Sequence, residues 1–221
     1  MNVLIVGASR GIGLEFVRQY RAAGASVTAT ARSDDALALL RELGATAIKL
    51  DVANTVSASG LAWQIDGSAF DVVVLCAGLY GPRTDGLQPP TEADFNAVMH
   101  TNVLGPMRVI PQLVDTLAPG AKLVVLSSRM GSIGSRSSTG GWLYRASKAA
   151  VNSVLKDASL TLQGRATCVS FHPGWVRTDM GGEGATLDVT DSVQHMRRMI
   201  EGLTPEDNGR FLDHDGTSIP W

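Results

Sequence analysis

VLIVGASRGIG, from Val3 to Gly13, is the stretch on which the fold turns. Val3–Val6 is a short apolar run of the kind that forms a buried strand. Ile12–Ala23 follows as a helical pattern, so Gly7–Gly13 joins a strand to a helix. Gly7 permits a tight turn, Gly11 lets backbone come close to a ligand, and Gly13 lets helix and strand pack closely. The unpaired N–H groups of a helix N-terminus, with their partial positive charge, suit a pyrophosphate. The spacing is GxxxGxG rather than the general GxGxxG of dinucleotide sites. Taken alone, such a turn is structural or holds some adenosine cofactor, and nucleotide binding is the favoured reading.

Working outward, the same alternation continues. Ser26–Ala31, Ala45–Leu50, Val72–Leu75 and Leu123–Leu126 are Val-, Ile- and Leu-rich runs of strand length. Helical patterns cover Asp35–Leu43, Val56–Ile65, Glu92–Leu117 and Leu143–Leu162. Continuous apolar strands alternating with helices predict a parallel sheet covered on both faces. Right-handed crossovers then make it a doubly wound α/β (Rossmann) fold of about seven strands. No linker interrupts residues 1–221, which are expected to form a single dinucleotide-binding and catalytic domain. Pro111 predicts a kink or break in the Glu92–Leu117 helix. Residues 79–90 and 129–141 are Gly-rich loops after strands, at the carboxyl edge where such folds bind ligands.

Composition removes several classes. With 44% apolar residues the 221-residue chain can bury a sizeable core, and a net charge of -2 without a basic stripe excludes a nucleic-acid footprint. Cys76 and Cys168 are expected to be buried free thiols. His100, His172, His195 and His214 show no metal-ligand spacing, so no metal site is expected. No basic leader or long apolar segment is present, which points to a cytoplasmic protein without membrane contact.

Two further features sharpen the chemistry. The second strand closes as Ala31-Arg32-Ser33, with no acid before Asp34. An arginine there accommodates a 2′-phosphate, whereas an acid prefers a free ribose. Arg10 can supply a second cation, so NADP(H) is the expected cofactor. In GGWLYRASKAAVN, Tyr144 and Lys148 share one helix face at i, i+4. A cation can lower a phenol's pKa and so fit it for proton transfer near neutrality. Moving it from about 10 towards 7 takes roughly 4 kcal/mol.

These residues fall in a family pattern. GASRGIG at 7–13, LDV at 50–52, CAG at 76–78, TNVLG at 101–105, LSS at 126–128, YRASK at 144–148 and HPGWVRTDM at 172–180 resemble a short-chain dehydrogenase/reductase along essentially the whole chain. The LYGPR loop and the TNVLGP and YRASK segments are most similar to its sniffer-like and C-factor-like carbonyl reductases.

The resemblance implies a set of roles. Gly7, Ser9, Arg10, Gly11, Ile12 and Gly13 would cradle the cofactor phosphates, and Arg32 the 2′-phosphate. Asp51 and Val52 would flank adenine, with Ala77 and Gly78 beneath the ribose. Pro173, Gly174, Val176 and Thr178 would hold the nicotinamide side. Tyr144 would protonate the carbonyl oxygen, Lys148 would bond the ribose and, with the cationic nicotinamide of the oxidised cofactor, favour the phenolate, and Ser128, rather than its neighbour Ser127, would hold the substrate oxygen. Asn102 would open a helix bond to a water that relays protons to Lys148. Cys76 departs from the Asn common in the family, losing a side-chain bond that steadies the central strands. Residues Gly181–Thr190 lie where the family has a substrate lid, and Ser192–Ile200 reads as a short helix after it. Helices 92–117 and 143–162 would form the interface of a homodimer or homotetramer.

The implied function is NADPH-dependent reduction of a small-molecule aldehyde or ketone, or the reverse oxidation of an alcohol. An NADPH-binding sensor or signalling protein is the alternative. A methyl transferase would share the glycine turn, but it leaves the serine pair and YRASK unexplained.

Overall fold

A computed structural model describes residues Met1–Trp221. One parallel sheet runs through it in the order β3-β2-β1-β4-β5-β6-β7. Its strands are β1 (Asn2–Val6), β2 (Ser26–Ala31), β3 (Thr46–Lys49), β4 (Phe70–Leu75), β5 (Leu117–Leu126), β6 (Ala166–His172) and β7 (Arg210–Asp213). The helices are α1 (Gly11–Ala22), α2 (Asp34–Glu42), α3 (Thr55–Ser59), α4 (Leu61–Gln64), α5 (Glu92–Met99), α6 (Gly105–Leu113), α7 (Trp142–Thr161) and α8 (Val189–Gly202). The doubly wound sheet expected from the sequence is therefore present. Val3, Leu4 and Ile5 are fully buried because helices cover both faces. On one face Val3, Ile5 and Val169 pack with Phe16 of α1 and Met196 of α8. On the other, Leu4, Val73 and Cys168 pack with Val109 of α6 and Leu155 of α7.

The strand order reverses between β1 and β4, and this opens the crevice in which such folds bind ligands. The C-terminal ends of β1, β4, β5 and β6 meet there, and each sends a functional loop over the rim. Both cysteines are free. Cys76 lies one residue beyond β4, yet its N–H still donates to the Val6 carbonyl at 2.8 Å, as does that of Ala77 at 3.0 Å. The backbone thus ties β1 to β4 where the common Asn is missing.

The helix read over 92–117 is interrupted, but not at Pro111. Its irregularity is a π turn at His100–Leu104, and α6 continues through Pro111 before a 3₁₀ turn at Val114–Thr116. The helical pattern over 56–65 is likewise two short helices parted at Gly60. No helix is long and apolar enough to cross a membrane.

Candidate active site

Sterics at the glycine turn explain its sequence. Gly7 has φ +88°, and a Cβ there would stand 2.7 Å from the Ala77 backbone. A Cβ on Gly13 would lie 2.2 Å from the Gly7 carbonyl oxygen, so helix and turn can approach only without side chains. Gly11 faces the Thr178 methyl, which brings the loop after β6 onto the turn. The cradle is one that added Cβ atoms would fill, and it fits a dinucleotide's phosphates. Ser9, Arg32 and Ser33 line a recess beside it. Arg10 is not directed into that recess. Its Nη1 pairs with Asp179 at 2.7 Å, so the second cation expected from the sequence is engaged with the loop after β6. Asp51 is half-buried, with its carboxylate accepting from Ala53 N–H at 3.0 Å, and Val52 is buried against Gly105.

A cleft of about 320 Å³ opens along the rim, lined by Ser127, Ser128, Tyr144, His172, Pro173, Gly174, Val176 and Thr178 together with Ile12, Tyr80, Arg83, Trp175, Met180 and Gly181. Alternation at the end of β5 separates the serines. The Ser127 hydroxyl donates back to the Lys148 carbonyl at 3.5 Å. The Ser128 oxygen accepts from Met130 N–H at 3.1 Å, capping a 3₁₀ turn, and its hydroxyl favours the ionised form of Tyr144. Beyond β6, the Pro173 carbonyl accepts from the Ser192 hydroxyl, Val176 bridges Leu187, and the Thr178 hydroxyl accepts from Gly181 N–H at 3.2 Å.

Tyr144 and Lys148 are both buried on α7, one turn apart. Burial pushes the Tyr144 phenol up to about 12, against the pull of the Ser128 hydroxyl, with Tyr80 adding to the rise. The Lys148 Nζ instead donates to the Leu126 carbonyl at 2.7 Å and lies 5.6 Å from the Tyr144 ring centre. Its own pKa is pushed down to about 8 by burial. Among the protein's own groups, burial is the largest influence on the Tyr144 phenol.

Asn102 lies within the π turn and is almost fully buried. Its Nδ2 donates to the Leu79 carbonyl at 2.8 Å and to the Ser147 hydroxyl at 2.9 Å, and its Oδ1 accepts from Leu79 N–H at 2.7 Å. A Cβ on Gly78 would be 3.6 Å from both Asn102 Oδ1 and Lys148 Nζ, so the three residues converge.

Residues 79–90 contribute more than sequence reasoning assigned them. Tyr80 stacks on Tyr144 with centroids 4.6 Å apart, and Arg83 lies 5.2 Å from the Tyr80 ring centre. The loop's Gly/Pro content, its place after a strand and its LYGPR likeness flagged it, but none of these gave the stacking. Residues 181–190, where the resemblance implies a lid, are held by Arg177, which donates to the Ala185 carbonyl at 2.9 Å and the Asp188 carboxylate at 2.6 Å. The helix after it spans Val189–Gly202 rather than 192–200 alone. No cluster of His, Cys, Asp and Glu has the makings of a metal site.

Residues 1–186 match the family described as short chain dehydrogenase. The chain belongs to that family. It is 44% identical over 154 residues to the C-signal of Myxococcus xanthus, covering 68% of this chain and 92% of that protein. It is 33% identical to the 1-hydroxy-2-glutathionyl-2-methyl-3-butene dehydrogenase of Rhodococcus sp. strain AD45, over 100% of this chain and 99% of that one. Among solved structures, a putative short-chain dehydrogenase/reductase from Burkholderia multivorans with bound NADP superposes with a TM-score of 0.91 at 31% identity. The carbonyl reductase Sniffer of D. melanogaster gives 0.90 at 28% identity; each covers 100% of this chain and 99% of the other. The family makes the protein an oxidoreductase of the short-chain type.

Proposed function

We propose that the protein reduces an aldehyde or ketone of a small molecule at the expense of NADPH. The observation that carries this reading is the Tyr144 side chain beside Ser128 in the cleft, with buried Lys148 one turn on. The glycine turn, Arg32 and the Pro173–Thr178 loop would hold NADPH, which would supply hydride to the carbonyl carbon. Tyr144 delivers the proton to the carbonyl oxygen, and the Ser128 hydroxyl donates a hydrogen bond to that oxygen as negative charge gathers there. Lys148 would bond the ribose and would receive, through a water held at Asn102, the proton that replaces the one Tyr144 gives up. The products are an alcohol and NADP⁺. The Burkholderia relative's bound NADP and the recess at Arg32 support the phosphorylated cofactor.

In this reading residues 1–221 act as one domain in the cytoplasm. Two or four copies assemble through α5–α7, whose Phe95 and Met107 are exposed. Purified protein is expected to consume NADPH with some member of a panel of aldehydes, diketones and quinones. Tight NADPH binding with no turnover across that panel would instead favour a signalling role, the second reading that similarity to the C-signal brings forward.

A further inference from the structure

Resting on the carbonyl reductase reading, we infer that the cleft selects substrates that carry a carboxylate besides the reacting carbonyl, and that Arg83 receives it. Ile12, Pro173, Gly174, Val176 and Thr178 are accounted for by the cofactor. Apart from Ser127 and Gly181, what remains around Tyr144 and Ser128 is Tyr80, Arg83, Trp175 and Met180, with His172. No Asp or Glu lines the cleft. His172, pushed down to about 4 by burial, is neutral near pH 7, which leaves Arg83 as the cation of the lining.

Arg83 is exposed on its loop, and two contacts place its guanidinium at the cleft. The guanidinium stacks on Tyr80, which stacks on Tyr144. Its carbon is therefore no farther than about 10 Å from the Tyr144 ring centre, the two stacking distances laid end to end. One N–H, on Nη2, donates to the Met180 carbonyl at 3.1 Å, which braces loop 79–90 against the loop after β6. Arg83 makes no ion pair, so most of its five donors remain for an anion. A planar guanidinium fork matches a carboxylate's two oxygens. Trp175 is 56% exposed, with its Nε1 fixed on the Gly181 carbonyl at 3.0 Å, and offers apolar surface for the carbon skeleton between the two polar ends.

The test compares 4-formylbenzoate with its methyl ester, which has nearly the same shape and no charge. With NADPH, kcat/KM should favour the acid by about tenfold, the worth of one charge-assisted contact. In Arg83→Met that ratio should fall to about one, and Arg83→Lys should keep part of it. Taking the ratio cancels losses common to both substrates, including any slackening of the Tyr80 stack. Benzoate and benzamide binding to the NADP⁺ complex, followed by quenching of tryptophan fluorescence, gives a readout free of turnover. Benzoate should bind more tightly, and Arg83→Met should erase the difference. Equal ratios for acid and ester, or a preference that survives Arg83→Met, would overturn the inference while leaving carbonyl reduction standing. If neither aldehyde is reduced yet benzoate still binds through Arg83, the reductase reading fails and the anion site stands.

Discussion

The side-chain amide of Asn102 holds both backbone polar groups of Leu79, accepting from its N–H at 2.7 Å and donating to its carbonyl at 2.8 Å. One residue of the π turn thereby fixes where the β4 loop leaves the sheet, next to Lys148. Asn102→Ala would leave the Leu79 groups and the Ser147 hydroxyl without partners in a buried place. A loss of about 2–3 kcal/mol is expected, read as a lower urea midpoint with an unchanged slope. Asn102→Asp keeps the acceptor only and should destabilise by a comparable amount.

Tyr144→Phe removes the proton donor and keeps the ring that stacks on Tyr80. Turnover should drop by about 10²–10⁴-fold, the usual worth of general acid catalysis. The dissociation constant for NADPH, measured by fluorescence titration, should stay within about twofold, because no phenol oxygen is needed to hold the phosphates. Activity that survived the change would remove Tyr144 from its role.

Much of this was legible in the chain because the signals were local. A strand running into a three-glycine turn fixes both the start of the fold and the place of the phosphates, since Gly7 and Gly13 face backbone that tolerates no Cβ. The i, i+4 spacing placed Tyr144 and Lys148 side by side. Their ionisation was not legible, because it depends on burial by elements distant in sequence and on the Leu126 carbonyl taking the ammonium. Proline was a misleading breaker. α6 carries Pro111, and the real irregularity gathers around Asn102, whose side chain bonds to another loop. The pairing of Arg10 was not legible for the same reason, since its partner Asp179 is 169 residues away. Tyr80 and Arg83 sit in an irregular loop, where periodicity says nothing about direction.

Lys148 gives a pH signature. Burial brings its pKa from the ordinary 10.5 down to about 8, so the charged form needed to bond the ribose is lost as pH rises through that value. The kcat/KM for NADPH reports ionisations of the free protein. It should be level below pH 8 and decline above it. Lys148→Arg, which stays charged, should flatten the decline, while Lys148→Met should be low throughout the range.

Arg32 faces the recess with Ser9 and Ser33, where no carboxylate lines the wall. Arg32→Glu places an acid against a 2′-phosphate and near a ribose hydroxyl. The ratio of NADPH to NADH efficiency should fall by about 10²-fold or more, since a favourable ion contact becomes a repulsive one. Arg10→Ala is expected to act more weakly, because Arg10 is committed to an exposed pair with Asp179, and such pairs contribute little. Parallel titrations with the two cofactors decide both expectations.

His172 predicts a loss of stability in mild acid. Burial holds its pKa down to about 4, with Arg129 and His214 lowering it further and Asp213 opposing them, and its Nδ1 has no protein partner. Between that value and the ordinary 6.5, the unfolded chain binds a proton that the folded chain refuses. Stability therefore rises with pH across this window and is lost as pH falls through it, by an amount on the order of 1–3 kcal/mol. Carboxylates titrate in the lower part of the same range, so the wild-type loss between pH 7 and pH 5 must be compared with that of His172→Gln. The variant has no imidazole to charge and should lose less stability than the parent over that interval. Equal losses in the two urea titrations would show that the imidazole is not held neutral by its surroundings.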